Sequence, residues 1–384
     1  MRPILFWIPV FAACVAILPL KAQAAEEPKS YLKWCLDDNA PDSIRTTLAA
    51  LKNLSGEEGC EASSAALSTL DEFVLKNLNL SDLRPLGLFP NLKYLDLEGN
   101  AISDVTPLAT LTNLRELTVS DNPLSDITPI TNLPALDMLI MWGTQIVDFS
   151  TVPDLGQLTY LNIGANNLED ISFVADMPNL ETLYFNDNKV SDIRPVAYLP
   201  NLASLNFDGN EVRDLSPLSG MSKLIYLYFN RNRVEDLSAI GTLTNLRRLS
   251  ASENTIRYLV ALEPLKKLDV LIVGGNRIRY LFPIREHFSL LSLDVSSNQI
   301  EDINDLQNLK AMRDLRLQNN SIENLSALRG LKELQYLYLW DNPIAVGEVI
   351  KDDTNCPSTG DISPLLLEFC GGVLPTFSAL SFNR

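Results

Sequence analysis

Leu180-Glu-Thr-Leu183-Tyr184-Phe185-Asn186-Asp187-Asn188-Lys-Val190-Ser191-Asp192-Ile193-Arg-Pro195-Val196-Ala-Tyr-Leu199 is one turn of a pattern that returns every 22 residues. Its central Asn recurs at Asn100, Asn122, Asn166, Asn188, Asn210, Asn232, Asn254, Asn276, Asn298, Asn320 and Asn342, with Thr144 in the remaining place. A fixed period without insertions implies a stacked solenoid rather than a globular enzyme domain. The alternation Leu183-Tyr184-Phe185 predicts a short strand with one buried face. Ser191-Asp192-Ile193 and Pro195-Val196 predict a capped turn, in which Asp accepts backbone N–H groups and Pro opens a short helix. The same frame around Asn210 gives Leu202, Leu205, Phe207, Val212, Leu218 and Met221.

The recurrent Asn has a structural role in this reading, its amide satisfying backbone groups of its own and the neighbouring turn. The series Asp104, Asp126, Asp148, Asp170, Asp192, Asp214, Asp236 and Asp302 reads as caps of the opposite turns rather than a calcium ladder. Tyr258 and Tyr280 interrupt that series, so two adjacent turns there differ from the others.

These residues resemble the leucine-rich repeat, L-x-x-L-x-L-x-x-N, in the 22-residue form found in bacterial internalins and in a eukaryotic phosphatase-regulator family. The resemblance covers residues 73–345 and implies an α/β repeat solenoid of about 13 units. The expected architecture is a horseshoe with a parallel concave sheet, a convex side of short 3-10 helices or turns, and helical, disulfide-bearing end caps. The expected organisation is a signal peptide over 1–24, an N-terminal cap over 25–72, repeats over 73–345, and a C-terminal cap and tail over 346–384.

The ends read as those of an exported chain. Arg2, the apolar run Ile4–Leu20 and Ala22-Gln23-Ala24 fit a cleaved secretory signal. Phe11-Ala12-Ala13-Cys14 is only a loose lipobox, because Phe is a poor first residue there. Four further cysteines stand in pairs outside the repeats, and Cys35–Cys60 and Cys356–Cys370 would staple the two ends separately. Residues 41–53 predict an amphipathic helix, and Glu61–Leu70 a second one, together sealing the N-terminal end. Ile362–Phe369 predicts a closing helix at the other. The destination is periplasmic, cell-surface or secreted, with no membrane insertion after signal removal.

Formal net charge is −17, and loss of Arg2 and Lys21 with the signal takes it to about −19. An acidic surface argues against nucleic-acid partners and against docking on anionic lipid. Catalysis is poorly supported. His287 is the only histidine, and it falls in a column of Leu, Met or Phe, so a Ser-His-Asp or Cys-His site is poorly supported and a His-based metal site still less so. Asp and Glu are abundant, and Asp208 with Asp187 is a conceivable carboxylate pair, on an open sheet that offers little to tune it. No cofactor or metal is expected.

Function is therefore expected on the concave sheet, at the positions six, four and two residues before each Asn. Trp142, Tyr160, Tyr184, Tyr226 and Tyr228 fall within five consecutive units, interleaved with Asn162, Asn186, Asn206, Asp208 and Asn230, with Arg248 of the next unit as a charge at the rim. Aromatic area with hydrogen-bonding groups suits a macromolecular ligand, most readily a protein. Twelve strands span about 60 Å, which is partner-sized. A glycan is the first alternative, and a periplasmic scaffold or inhibitor of an envelope enzyme the second. The internalin resemblance implies an adhesion or host- or cell-surface role, and the chain is expected to be a monomer. Tyr336, Tyr338, Trp340 and Arg316 form a second, terminal cluster that the C-terminal cap could equally cover.

Overall fold

The structure, a computed structural model, describes residues 30–344 apart from 132, 147–148 and 150–154. The expected signal, Cys14, Asp148, the Cys356–Cys370 bridge and the C-terminal cap lie outside the described residues.

Thirteen three-residue strands form one parallel sheet in strict chain order, from β1 (Glu72–Val74) and β2 (Tyr94–Asp96) to β13 (Tyr336–Tyr338). Each strand pairs with the equivalent residues of the next repeat, Thr182 with Ser204 and Leu183 with Leu205 for example. The middle residue of every strand is buried, and its neighbours point the other way. Phe185, Phe207 and Phe229 stack behind the sheet at centroid distances of 5.7 and 5.6 Å.

The Asn column is a hydrogen-bonded ladder that is interrupted at Thr144. Asn210 Nδ2 donates to Phe207 O in its own turn and to Phe185 O in the turn before, both at 3.0 Å. Its Oδ1 accepts from Val190 N at 2.9 Å. Asn188 Nδ2 also donates to Phe185 O, at 2.8 Å, so successive rungs share a carbonyl. Thr144 breaks the rung. Its hydroxyl donates to Asn166 Oδ1, and Leu124 N turns instead to Asn122 O at 2.8 Å.

The opposite side is built of 3-10 helices, such as Arg194–Tyr198 and Ser216–Leu218. Asp Oδ1 accepts the N–H two residues ahead at Asp104, Asp126, Asp170, Asp192, Asp214, Asp236 and Asp302, at 2.8–2.9 Å. The Asp series is thus a set of caps. Asp82 and Asn324 cap two further turns in the same way.

Three helices precede the sheet: α1 (Tyr31–Cys35), α2 (Asp42–Ser55) and α3 (Cys60–Leu67). The first was not legible in the sequence. α2 buries Ile44, Leu48 and Leu51, and its Thr47 hydroxyl donates to Asp82 O at 2.7 Å, tying cap to first repeat. It ends at Gly56, whose φ of 70° only glycine adopts readily. α3 is shorter than its expected span, because the Ser68 and Thr69 hydroxyls bond Ala65 O and Ala66 O and close the last turn. A disulfide joins Cys35 to Cys60 with Cα atoms 5.7 Å apart, stapling α1 to α3.

Asn210→Ala strands the buried Val190 N–H and weakens two carbonyls. It should cost about 3 kcal/mol in urea unfolding. Thr144→Ala removes a single bond and should cost about 1 kcal/mol. Equal losses at the two positions would contradict the ladder.

Candidate functional site: the concave sheet

The centre of the concave face is carried by β4 (Met138–Ile140), β5 (Tyr160–Asn162), β6 (Thr182–Tyr184), β7 (Ser204–Asn206), β8 (Tyr226–Tyr228) and β9 (Arg248–Ser250). All eleven residues expected to face a ligand lie on or directly after these strands, and none belongs to the fully buried core. They divide into two physical groups.

The first group presents rings. Tyr160 and Tyr184 meet edge to face at 5.7 Å. The Tyr184 hydroxyl is hydrogen-bonded to Ser204 Oγ at 3.0 Å, which fixes the ring. Trp142 and Tyr226 are the large apolar side chains exposed most at the centre of the sheet. The Trp142 indole lies across Gly164, where a Cβ would stand 2.5 Å from its Cδ1. Gly164 is therefore part of the platform, a role its position in the repeat did not reveal.

The second group is largely occupied by bonds within the sheet. Asn162 and Asn206 accept the N–H two residues ahead, from Gly164 at 3.1 Å and Asp208 at 2.9 Å. Asp96 and Asp294 do the same elsewhere, so this column is partly structural. The Asp208 carboxylate accepts Asn230 N at 2.6 Å and Asn230 Nδ2 at 2.9 Å. Asn230 Oδ1 then accepts Ser250 Oγ and Ser252 N. Ser250 is consequently buried, although its column places it outward.

Beside burial, the Asp187 charge is near enough to help raise the Asp208 carboxyl, but each carboxylate is already engaged, Asp187 by Arg231 and Asp208 by Asn230. Asp187 is held by Arg231 at 2.8 Å, one turn beyond Asp208. Burial pushes the Asp208 carboxyl above its ordinary value, opposed by the Asn230 bonds. Burial likewise raises the Tyr160 and Tyr228 phenols, the latter opposed by Arg248. The face thus offers aromatic rings, of which Tyr160 and Tyr184 hold each other, among polar groups many of which are bonded within the sheet, with Arg248 exposed at its edge.

At the N-terminal end the sheet is closed by charge. Lys76 bridges the buried Asp96 at 2.8 Å and Glu98 at 2.9 Å. At the other end Arg316 lies over the Tyr338 ring at 5.2 Å, and Tyr338 meets Trp340 edge to face at 5.5 Å.

Leucine-rich-repeat family models match residues 156–199, as two copies, and residues 90–105 and 286–303. An internalin, InlF of Listeria monocytogenes, superposes with a TM-score of 0.72 at 29% identity, covering 78% of this chain and 90% of that one. The chain is an internalin-like leucine-rich-repeat protein. A leucine-rich-repeat protein of Leptospira interrogans follows at TM-score 0.66 and 22% identity, covering 74% of this internalin-like chain and 87% of the other. InlJ of Listeria monocytogenes, whose functional domain includes a cysteine ladder, gives 0.65 at 21%, covering 83% and 72%. No curated protein matches the sequence. Among the described residues no helix is long and apolar enough to cross a membrane, and no group of three or more His, Cys, Asp or Glu could hold a metal ion.

His287 lies in the core of this internalin-like solenoid, fully buried and away from the concave face. Its Nε2–H donates to Leu262 O at 3.0 Å, and Nδ1 has no partner among the described residues. Burial, reinforced by Lys266 and opposed by Glu286 and backbone bonds, holds its pKa below the ordinary 6.5. The folded protein keeps this ring neutral, whereas the unfolded chain takes up a proton below pH 6.5. Stability from this group is complete above that pH and falls as pH drops toward the lowered folded value. His287→Leu should therefore flatten the loss of Tm between about pH 7 and about pH 5. An unchanged slope would contradict the buried neutral ring.

Proposed function

We propose that the protein is exported and binds a protein partner through the concave patch running from Trp142 to Arg248. The observation that carries this reading is the aromatic platform of Trp142, Tyr160, Tyr184, Tyr226 and Tyr228, in which Tyr160 and Tyr184 meet edge to face, set among side chains several of whose polar groups are already paired. Such a surface gains apolar area on binding while losing little side-chain entropy. Its footprint over six strands is about 25–30 Å long, which suits a folded partner. The Cys35–Cys60 bridge supports an oxidising destination, as does the signal-like segment at residues 1–24. In this reading residues 25–72 and 346–384 cap the repeat array. In this reading the concave face serves recognition rather than catalysis.

The test is affinity capture with oxidised residues 25–384, with bound proteins identified by mass spectrometry and bound polysaccharides assayed in parallel. Changing Tyr184, Tyr226 and Tyr228 together to Ala should cost about 2 kcal/mol or more. That corresponds to roughly 30-fold weaker binding. Retention of the ligand by the triple variant, with its fold verified by circular dichroism, would move the site off this face. A captured polysaccharide in place of a protein would replace the ligand class.

A further inference from the structure

Five of the fourteen exposed large apolar side chains among the described residues lie between 258 and 288, away from the concave sheet: Tyr258, Val260, Tyr280, Phe282 and Phe288. Four of them form two columns one repeat apart, Tyr258 with Tyr280 and Val260 with Phe282. They occur where the capping Asp is missing. Eight other described turns carry Asp at this position and one carries Asn, each accepting the N–H two residues ahead. Loss of such a cap costs about 1 kcal/mol. Here it is given up in two consecutive repeats, and the replacing rings are left 68% and 63% exposed.

The charge changes at the same place. Arg257 and Arg279 stand beside the two tyrosines, and Arg277 lies two residues before Arg279. Arg257 is paired with Glu235 at 3.1 Å, and Arg279 Nε donates to Gln299 at 2.9 Å. The Arg277 guanidinium has no hydrogen bond or ion pair among the described residues. These side chains line a groove of about 570 Å³ with Tyr258, Tyr280 and Gln299. In the columns of the arginine–tyrosine pairs and of Val260 and Phe282 the neighbouring repeats are acidic and polar, Glu235, Asp236 and Ser238 on one side and Glu301, Asp302 and Asn304 on the other, and Arg233 in the column of Arg277 is paired with Glu211. A basic, aromatic strip two repeats wide is therefore framed by carboxylates on a protein of net charge −17.

We propose that this strip is a second docking site, which takes a short acidic segment of a partner protein. Carboxylates of the segment pair with Arg277 and Arg279, for which a planar guanidinium fork is suited. Its backbone lies across the tyrosine rings, and its apolar side chains cover Val260 and Phe282. Two repeats span roughly 10 Å, or about three extended residues. The acidic flanks repel any longer acidic run and so limit the footprint. An acidic saccharide would use the arginines and rings but leave the Val260–Phe282 column uncovered, so a peptide accounts for more of the surface. The proposal is independent of the concave site.

The experiment is fluorescence anisotropy of the intact protein with a fluorescein-labelled tripeptide, Glu-Leu-Glu, matched to that footprint. The same peptide with Lys for Glu, and a heparin-derived hexasaccharide, are run beside it. The acidic peptide should bind saturably, the basic one should not, and binding should weaken as salt rises. Tyr258→Asp with Tyr280→Asp restores the cap found in the other turns, so that variant keeps its fold. It and, separately, Arg277→Glu should each weaken binding by about tenfold. The concave triple-tyrosine variant should bind as the native protein does. Equal affinity for the acidic and basic peptides, absence of saturable binding, or unchanged affinity in both strip variants would overturn the proposal. So would a hexasaccharide that binds the strip where the acidic peptide does not.

Discussion

The amide ladder of the repeated Asn is the constraint on which the rest of the structure depends. A repeat of this length turns its chain sharply after each strand, and the turn buries backbone groups that no sheet partner reaches. One primary amide has the geometry to satisfy them, with Nδ2 donating to two carbonyls and Oδ1 accepting a third group from the preceding turn. Because Phe185 O serves both Asn188 and Asn210, each rung orders the next. The repeat period is thereby held constant, and the strands fall into unbroken parallel register.

That register makes the concave face a surface on which sequence columns become spatial neighbours. Residues one repeat apart stand about 4.8 Å from each other, so Tyr160 meets Tyr184 diagonally and Asp208 reaches Asn230 directly. The paired amides and carboxylates hold the strand ends, and the rings stand among them without having to reorganise. Where the ladder is interrupted at Thr144, the exposed Trp142 sits two residues away over Gly164. The weakest rung and one of the most exposed aromatic groups thus share a single turn.

The solenoid, its parallel sheet, the capped turns, α2 and the Cys35–Cys60 bridge were legible in the sequence, because each follows from a local pattern of few residues. The placement of the concave side chains was legible for the same reason. Their bonding was not. Asp208 and Asn230 are joined across a repeat, and Asp187 reaches Arg231 two repeats on, beyond the range of any period-based reading. Ser204 and Ser250 carry no sequence signal that separates a bridging hydroxyl from a solvated one. α1 is short, and its cap is a single Ser30 bond to Lys33 N, too weak a pattern to stand out.

The central claim is that recognition takes place on the concave sheet, and site-specific photo-crosslinking tests it most directly. A benzophenone amino acid would be placed at residue 226 on the concave face and, in a second protein, at residue 198, which is exposed on a 3-10 helix of the opposite side. Both would be irradiated in the cells that make the protein. A discrete protein adduct from residue 226, with none from residue 198, is the expected result. The same adduct from residue 198 with none from residue 226 would contradict it.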